Sequence, residues 1–257
     1  MSLAGRVALV TGGGRGIGRA IALGLAEDGA DVAVGYRRDA EAAQQTVTEI
    51  EKRGRRARAY AASVESYDDD RRMVDAAVRD FGFVDILVNN AGIASRGNSV
   101  QNTDPAELER VVRTHAFAAH HLCQLVLPRM KTRPRGDIVM ISSVATLHHG
   151  AGGAPYNMGK AALEALAFTL AKEVRHHGVR VNVVAPGLVE TEMGRRLMKA
   201  TAGVTDLRSL DAVMPFGRVC QPEDVANVVR FLVSEGAGYL TGEKLNVYGG
   251  GQQTRQS

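Results

Sequence analysis

The chain has 257 residues, 45% hydrophobic and 23% charged, with a formal net charge of +4. That is enough apolar mass for a substantial core, and no uninterrupted apolar run approaches the roughly 20 residues of a membrane span. Cys123 and Cys220 lack metal-ligand spacing, the positive charge forms no basic tract interleaved with aromatics, and the first residues carry no basic-then-apolar leader; the expectation is a cytoplasmic protein with no disulfide framework, metal, membrane or nucleic-acid partner.

In chain order, short β-branched runs alternate with longer helical patterns. "RVALVTG" is followed by a helix over 16–29, "DVAVGY" by 40–53, "RARAYAAS" by 68–81, "VDILVNN" by 105–130 and "GDIVMISS" by 156–177; "VRVNVVAP" and "KLNVYGG" close the series. Such alternation predicts βαβ crossovers and an α/β fold: a Rossmann-type, doubly wound, mainly parallel sheet of seven strands with helices on both faces. No linker, repeat or low-complexity tract interrupts it, so residues 1–257 read as one domain. Residues 191–220 break the rhythm, and a connection that long marks a candidate substrate-binding loop.

The first strand runs into Thr11-Gly12-Gly13-Gly14-Arg15-Gly16-Ile17-Gly18, and a helix follows. Glycines at that point permit a tight turn and close backbone approach to a pyrophosphate, which the helix N-terminus attracts. An acidic residue normally holds a free ribose 2′-hydroxyl at the end of the second strand, but that place reads Gly35-Tyr36-Arg37-Arg38. Arg37 together with Arg15 suits a 2′-phosphate, so the expected cofactor is NADP(H); the alternative is that both arginines are solvated surface charges. Tyr156 and Lys160 in "YNMGK" lie four apart at the head of an Ala- and Leu-rich run, which puts phenol and ammonium on one helix face.

With the glycine loop, "NNAG" at 89–92, "ISS" before "YNMGK" and "APGLVET" at 185–191 in this order, the chain resembles the short-chain dehydrogenase/reductase family along essentially its full length. The resemblance implies that Ser143 hydrogen-bonds the substrate carbonyl, that Tyr156 exchanges the proton, that Lys160 and the positive charge of the oxidised nicotinamide together lower the phenol's pKa, and that Lys160 holds the nicotinamide ribose. It further implies cofactor contacts from Gly12, Gly16, Ile17 and Gly18, from Asn90, Ala91 and Gly92, and from Pro186, Gly187, Val189 and Thr191. Ser63, followed by Val64, stands where relatives carry an adenine-binding aspartate. His115 stands where they carry an asparagine that holds a water, so it either keeps the proton relay or merely packs.

The resemblance is as close to 3-oxoacyl carrier-protein reductases as to any subgroup. The implied activity is reduction of a ketone, with a 3-oxoacyl thioester one such substrate. An NAD(P)-dependent alcohol, sugar or steroid dehydrogenase and a regulatory protein without turnover stay open. Basic residues Arg129, Lys131, Arg133, Arg135, Lys172, Arg175 and Arg180 either receive an acidic acyl carrier protein or form a solvated rim. The family also implies a homotetramer. The pairs His120-His121, His148-His149 and His176-His177 read as surface or pocket-wall side chains, because neighbours in a helix or strand diverge.

Overall fold

The computed structural model describes residues 2–251. Seven strands, β1 (Val7–Thr11), β2 (Asp31–Tyr36), β3 (Ala57–Ala61), β4 (Ile86–Asn89), β5 (Gly136–Ile141), β6 (Val179–Pro186) and β7 (Lys244–Val247), form one sheet. Their order is β3-β2-β1-β4-β5-β6-β7 and every pairing is parallel. This is the doubly wound arrangement that the strand-helix alternation predicts. The strand order reverses between β1 and β4, and the crevice at such a reversal, beyond the carboxyl ends of the strands, is where these folds bind ligands.

Side-chain alternation along each strand feeds two cores. Val7 and Leu9 of β1 join α3 (Tyr67–Phe81), α5 (Ala118–Met130) and α7 (Ala154–Val174) on one face. Ala8 and Val10 join α1 (Gly16–Glu27), α2 (Ala40–Glu51) and α9 (Pro222–Leu232) on the other. Each large aliphatic side chain sealed there contributes about 1.5–3 kcal/mol relative to exposure. Helix starts follow local chemistry: Asp39 caps α2, Ser66 caps α3, and Asp104 caps α4 (Pro105–Val112) with a proline in its first turn.

Two stretches differ from the simplest reading. The run expected as one helix over 105–130 is α4 and α5 joined through a π turn at Arg113–Phe117. The long connection at 191–220 is largely helical, with α8 (Glu192–Ala202) followed by 3-10 turns at Leu207–Val213 and Pro215–Gly217.

The basic residues divide. Arg6, Arg135 and Arg180 converge on buried Asp137 at 2.7, 3.1 and 2.5 Å. Arg133 pairs with Asp85 at 3.0 Å and lies 3.7 Å over the Phe83 ring. This network ties down the amino-terminal edge of the sheet. Arg180 is buried in this network and Arg133 and Arg135 are ion-paired and partly exposed, whereas Arg129, Lys131, Lys172 and Arg175 are exposed.

Candidate active site

The glycine loop turns at the carboxyl end of β1. Gly16 adopts φ +53°, which a side chain resists, and a Cβ on Gly18 would lie 2.5 Å from Asn90 Nδ2 and closer still to the Gly12 carbonyl oxygen. The residue before α1 is Arg15, which provides no side-chain cap, and the first turn holds no acidic residue. The leading N–H groups, with Ile17 among them, are thus left for an anion.

Across the crevice, Thr11 Oγ1 accepts from the backbone N–H groups of Asn90 and Ala91, both at 3.0 Å. Asn90 Nδ2 donates to the carbonyls of Thr11 at 2.8 Å and Gly12 at 3.3 Å. Asparagine and threonine are needed here because two strand-end loops must be stitched together without bulk. This cradle fits a pyrophosphate-bearing dinucleotide.

At its adenosine end the cations are already engaged. Arg37 Nη1 donates to Glu65 Oε1 at 2.8 Å, and Arg15 Nη1 donates to Glu192 Oε2 at 2.7 Å. The Arg15 pair is exposed and the Arg37 pair partly so, a setting in which ion pairs contribute only about 0–1 kcal/mol, so a phosphate dianion can compete with the carboxylates. The Ser63 N–H donates to Asp69 Oδ2 at 3.0 Å. A carboxylate thus stands beside the serine that replaces the expected aspartate, and only its place in the first turn of α3 hinted at this. Val64 lines a small cavity of about 10 Å³ behind the crevice, together with Thr11, Ala91 and His115.

Ser143 follows the end of β5, and its hydroxyl accepts from the Ala145 N–H at 3.2 Å in the short helix α6 (Ala145–His148). Tyr156 and Lys160 project from the first turns of α7. Lys160 is buried, its Nζ 5.7 Å from the centre of the Tyr156 ring and donating to the Ile141 carbonyl at 2.6 Å. Burial pushes the Lys160 ammonium down to about 7, against the opposing charge of Glu164. Burial also raises the Tyr156 phenol above its ordinary value, while the Ser143 hydroxyl pulls it down. The protein alone therefore does not show the lowered phenol expected from Lys160. The ammonium is turned to the Ile141 carbonyl of β5.

His115 sits in the π turn. Its Nε2 lies 2.8 Å from the Ile93 carbonyl oxygen, which can only accept, so Nε2 carries the hydrogen and Nδ1 is bare. Burial, then the Lys160 charge, pushes this imidazole down to about 3, against the Ile93 carbonyl. Its ring meets Tyr156 edge-on, centroids 5.2 Å apart. A Cβ on Gly92 would lie 2.7 Å from His115 Cε1, and one on Gly159 would lie 3.2 Å from its Cβ, so glycines on two sides make room for the ring. A neutral imidazole whose N–H is spent on a carbonyl holds the turn. It is poorly suited to pass a proton through the ring, because the carbonyl on its far side cannot take one.

The third wall comes from the end of β6. Pro186 O accepts from the Val144 N–H at 3.0 Å, and the Gly187 N–H donates to the Val247 carbonyl at 3.0 Å. Val189 bridges to Cys220, and the Thr191 hydroxyl caps α8 by accepting from the Gly194 N–H at 3.0 Å. His148 and His149 are exposed at the end of α6, five and six residues after Ser143, with His149 at φ +46° closing the helix. Among the described residues no three His, Cys, Asp or Glu side chains gather as metal ligands.

The crevice thus joins a glycine-rich turn to a serine, a tyrosine and a lysine at the carboxyl edge of the sheet, and the whole chain is similar to known proteins. The family described as short chain dehydrogenase matches residues 6–202. The chain is 37% identical over 244 residues to the 3-oxoacyl-acyl-carrier-protein reductase FabG of Staphylococcus epidermidis, covering 95% of this chain and 97% of that one. A short chain dehydrogenase from Burkholderia cenocepacia, solved with NADP, superposes with TM-score 0.87 at 36% identity, covering 97% of this chain and 98% of that one. A 7α-hydroxysteroid dehydrogenase solved with NADH and 7-oxo glycochenodeoxycholic acid gives TM-score 0.90 at 34% identity, covering 98% and 96%. The chain belongs to the short-chain dehydrogenase/reductase family of oxidoreductases, which act on CH–OH and C=O groups.

Proposed function

We propose that the protein is an NADPH-dependent ketone reductase in which Ser143 orients the carbonyl oxygen, Tyr156 delivers its proton, and Lys160 holds the ribose. The observation that carries this reading is the meeting of Ser143, Tyr156 and Lys160 beside the glycine loop, with Lys160 Nζ 5.7 Å from the Tyr156 ring centre. NADPH, when bound, supplies the hydride. Gly12, Gly16, Ile17 and Gly18 cradle its phosphates, Asn90, Ala91 and Gly92 leave room for the ribose, and Pro186, Gly187, Val189 and Thr191 wall the nicotinamide end.

A phenol raised by burial stays protonated through neutrality, which suits donation to an oxygen that gains charge. The Ser143 hydroxyl donates to the same oxygen and stabilises that charge. His115 keeps the π turn against Tyr156 in place of a proton-passing group. Gly35-Tyr36-Arg37-Arg38 puts no carboxylate at the very end of β2, and Asp39 beyond it is spent on capping α2; with Arg15 and Arg37 in reach, this supports NADP(H). That both arginines already face carboxylates favours a second reading, an NAD(H)-accepting secondary-alcohol dehydrogenase, because a 2′-hydroxyl need displace neither.

Residues 191–220 form the substrate wall of one domain spanning 1–257, and similarity to FabG suggests a 3-oxoacyl thioester on an acyl carrier protein, with exposed Arg129, Lys131, Lys172 and Arg175 available to it. Exposed Phe117 and Met158 on the 105–130 and 156–177 helices suit a homotetramer in the cytoplasm. The test is NADPH and NADH consumption with β-ketoesters, diketones and an acyl-carrier-protein thioester, beside Tyr156→Phe. Turnover reduced about 10²–10⁴-fold in the variant supports the reading; binding without turnover in the parent overturns it.

A further inference from the structure

A largely buried charge pair lies two helical turns beyond the proposed acid. Glu164 follows Lys160 by one turn and Tyr156 by two along α7. Its Oε1 accepts from the hydroxyls of Ser142 at 2.6 Å and Thr146 at 2.8 Å. Its Oε2 accepts from Lys244 Nζ at 2.9 Å, and the same ammonium donates to Thr146 Oγ1 at 2.7 Å. The Glu164 and Lys244 side chains are only 12% and 15% exposed. Four elements meet here: the end of β5, α6, α7 and β7.

Stability alone is a weak reason for such a cluster, since apolar residues of the same volume often serve as well as a buried ion pair. Its location supplies a better one. The two hydroxyls flank Ser143, one in the residue before it and one three residues after. The carboxylate stands one helical turn from Lys160, whose other neighbours are Tyr156 on its own helix, His115 of the π turn and the Ile141 carbonyl of β5. Of these groups only Glu164 carries a full negative charge.

We propose that Glu164 is a positioning residue: it fastens the turn bearing Ser143 to the helix bearing Tyr156 and Lys160, and its charge, anchored by Lys244, stands one helical turn from Lys160. This rests on the reductase reading for its consequence in turnover, but not for the geometry. Lys244 keeps the carboxylate extended toward the strand end, so the serine and the tyrosine hold a fixed separation.

Two substitutions separate the parts. Glu164→Gln keeps an oxygen that accepts from both hydroxyls and removes the charge; Glu164→Leu removes both. In reduction of ethyl acetoacetate, Glu164→Leu is expected to lose about 10–100-fold in kcat, with its Kd for NADPH, read by nicotinamide fluorescence, within about threefold of the parent. Glu164→Gln is expected to hold kcat within about threefold below neutral pH, where Lys160 keeps its proton.

In protein carrying 13C-labelled lysine, the Lys160 signal of Glu164→Gln should titrate about 0.5–1 pH unit below the parent's, because a carboxylate that favoured the ammonium is gone. A kcat for Glu164→Leu within about threefold of the parent overturns the proposal, as does an unmoved Lys160 titration. The titration needs no turnover and no leucine variant. It decides the matter even if the parent proves inert toward ketones, an outcome that would sink the reductase reading by itself.

Discussion

Glu65 accepts from Arg37 at 2.8 Å and from Arg110 at 3.2 Å, so a phosphate arriving at Arg37 meets a cation shared with a carboxylate. Removing that competitor should favour the phosphorylated ribose over the plain one. Glu65→Gln is expected to tighten NADPH about 3–10-fold relative to NADH in fluorescence titrations, and an unchanged ratio would show that Arg37 does not face the 2′ position. His115 makes a second residue-scale prediction. Its folded-state value near 3 lies below the ordinary 6.5, so between those values the unfolded chain binds a proton that the folded chain refuses. Stability is then fully present above about pH 6.5 and lost on acidification at about 1.4 kcal/mol per unit, about 2 kcal/mol by pH 5. Urea unfolding of His115→Asn should lack that slope.

Between α3 and α5 lies a carboxyl that the fold buries without need. Asp70 is fully buried, neither of its oxygens has a hydrogen-bond partner among the described residues, and His121 Nδ1 is 3.9 Å from its Oδ2. Burial, with Asp69 adding to it, pushes Asp70 up to about 8; burial and the nearby His120 and Arg113 push His121 down. Both shifts favour a neutral acid beside a neutral imidazole. Because the folded carboxyl is raised, its penalty is complete above about pH 8 and absent below the unfolded value of 3.8. Asp70→Asn should therefore stabilise the protein by about 1–3 kcal/mol at pH 8 and by almost nothing near pH 4, as thermal melts can establish.

The elements themselves were legible: apolar runs such as "RVALV" and "GDIVMI" announced buried parallel strands, and the longer helical patterns between them announced the crossovers. The π turn was not. Its residues continue the helical pattern of 105–130, and what stabilises the extra residue is distant, the Ile93 carbonyl and the space beside Gly92 and Gly159. Glu65 on Arg37 and Glu192 on Arg15 were invisible for the same reason, being 28 and 177 residues away.

Across the whole molecule, charge is divided by the sheet. The amino-terminal edge holds the guanidinium network around Asp137, which is why residues that look like a basic rim in the sequence turn inward. The carboxyl edge holds the glycine loop, Ser143, Tyr156 and Lys160, with α8 beside them and the thiol of Cys220 pushed up to about 12 by burial. The motifs located this edge because each follows a strand, and the network opposite escaped notice because its partners lie far apart in the chain. On the reductase reading proposed above, the Tyr156 phenol supplies the proton that completes ketone reduction. Single-turnover reduction of ethyl acetoacetate by NADPH-loaded Tyr156→Phe tests it most directly: the account predicts NADPH affinity within about threefold of the parent and a rate about 10²–10⁴-fold lower, and a variant that still reduces the ketone at the parent rate would contradict it.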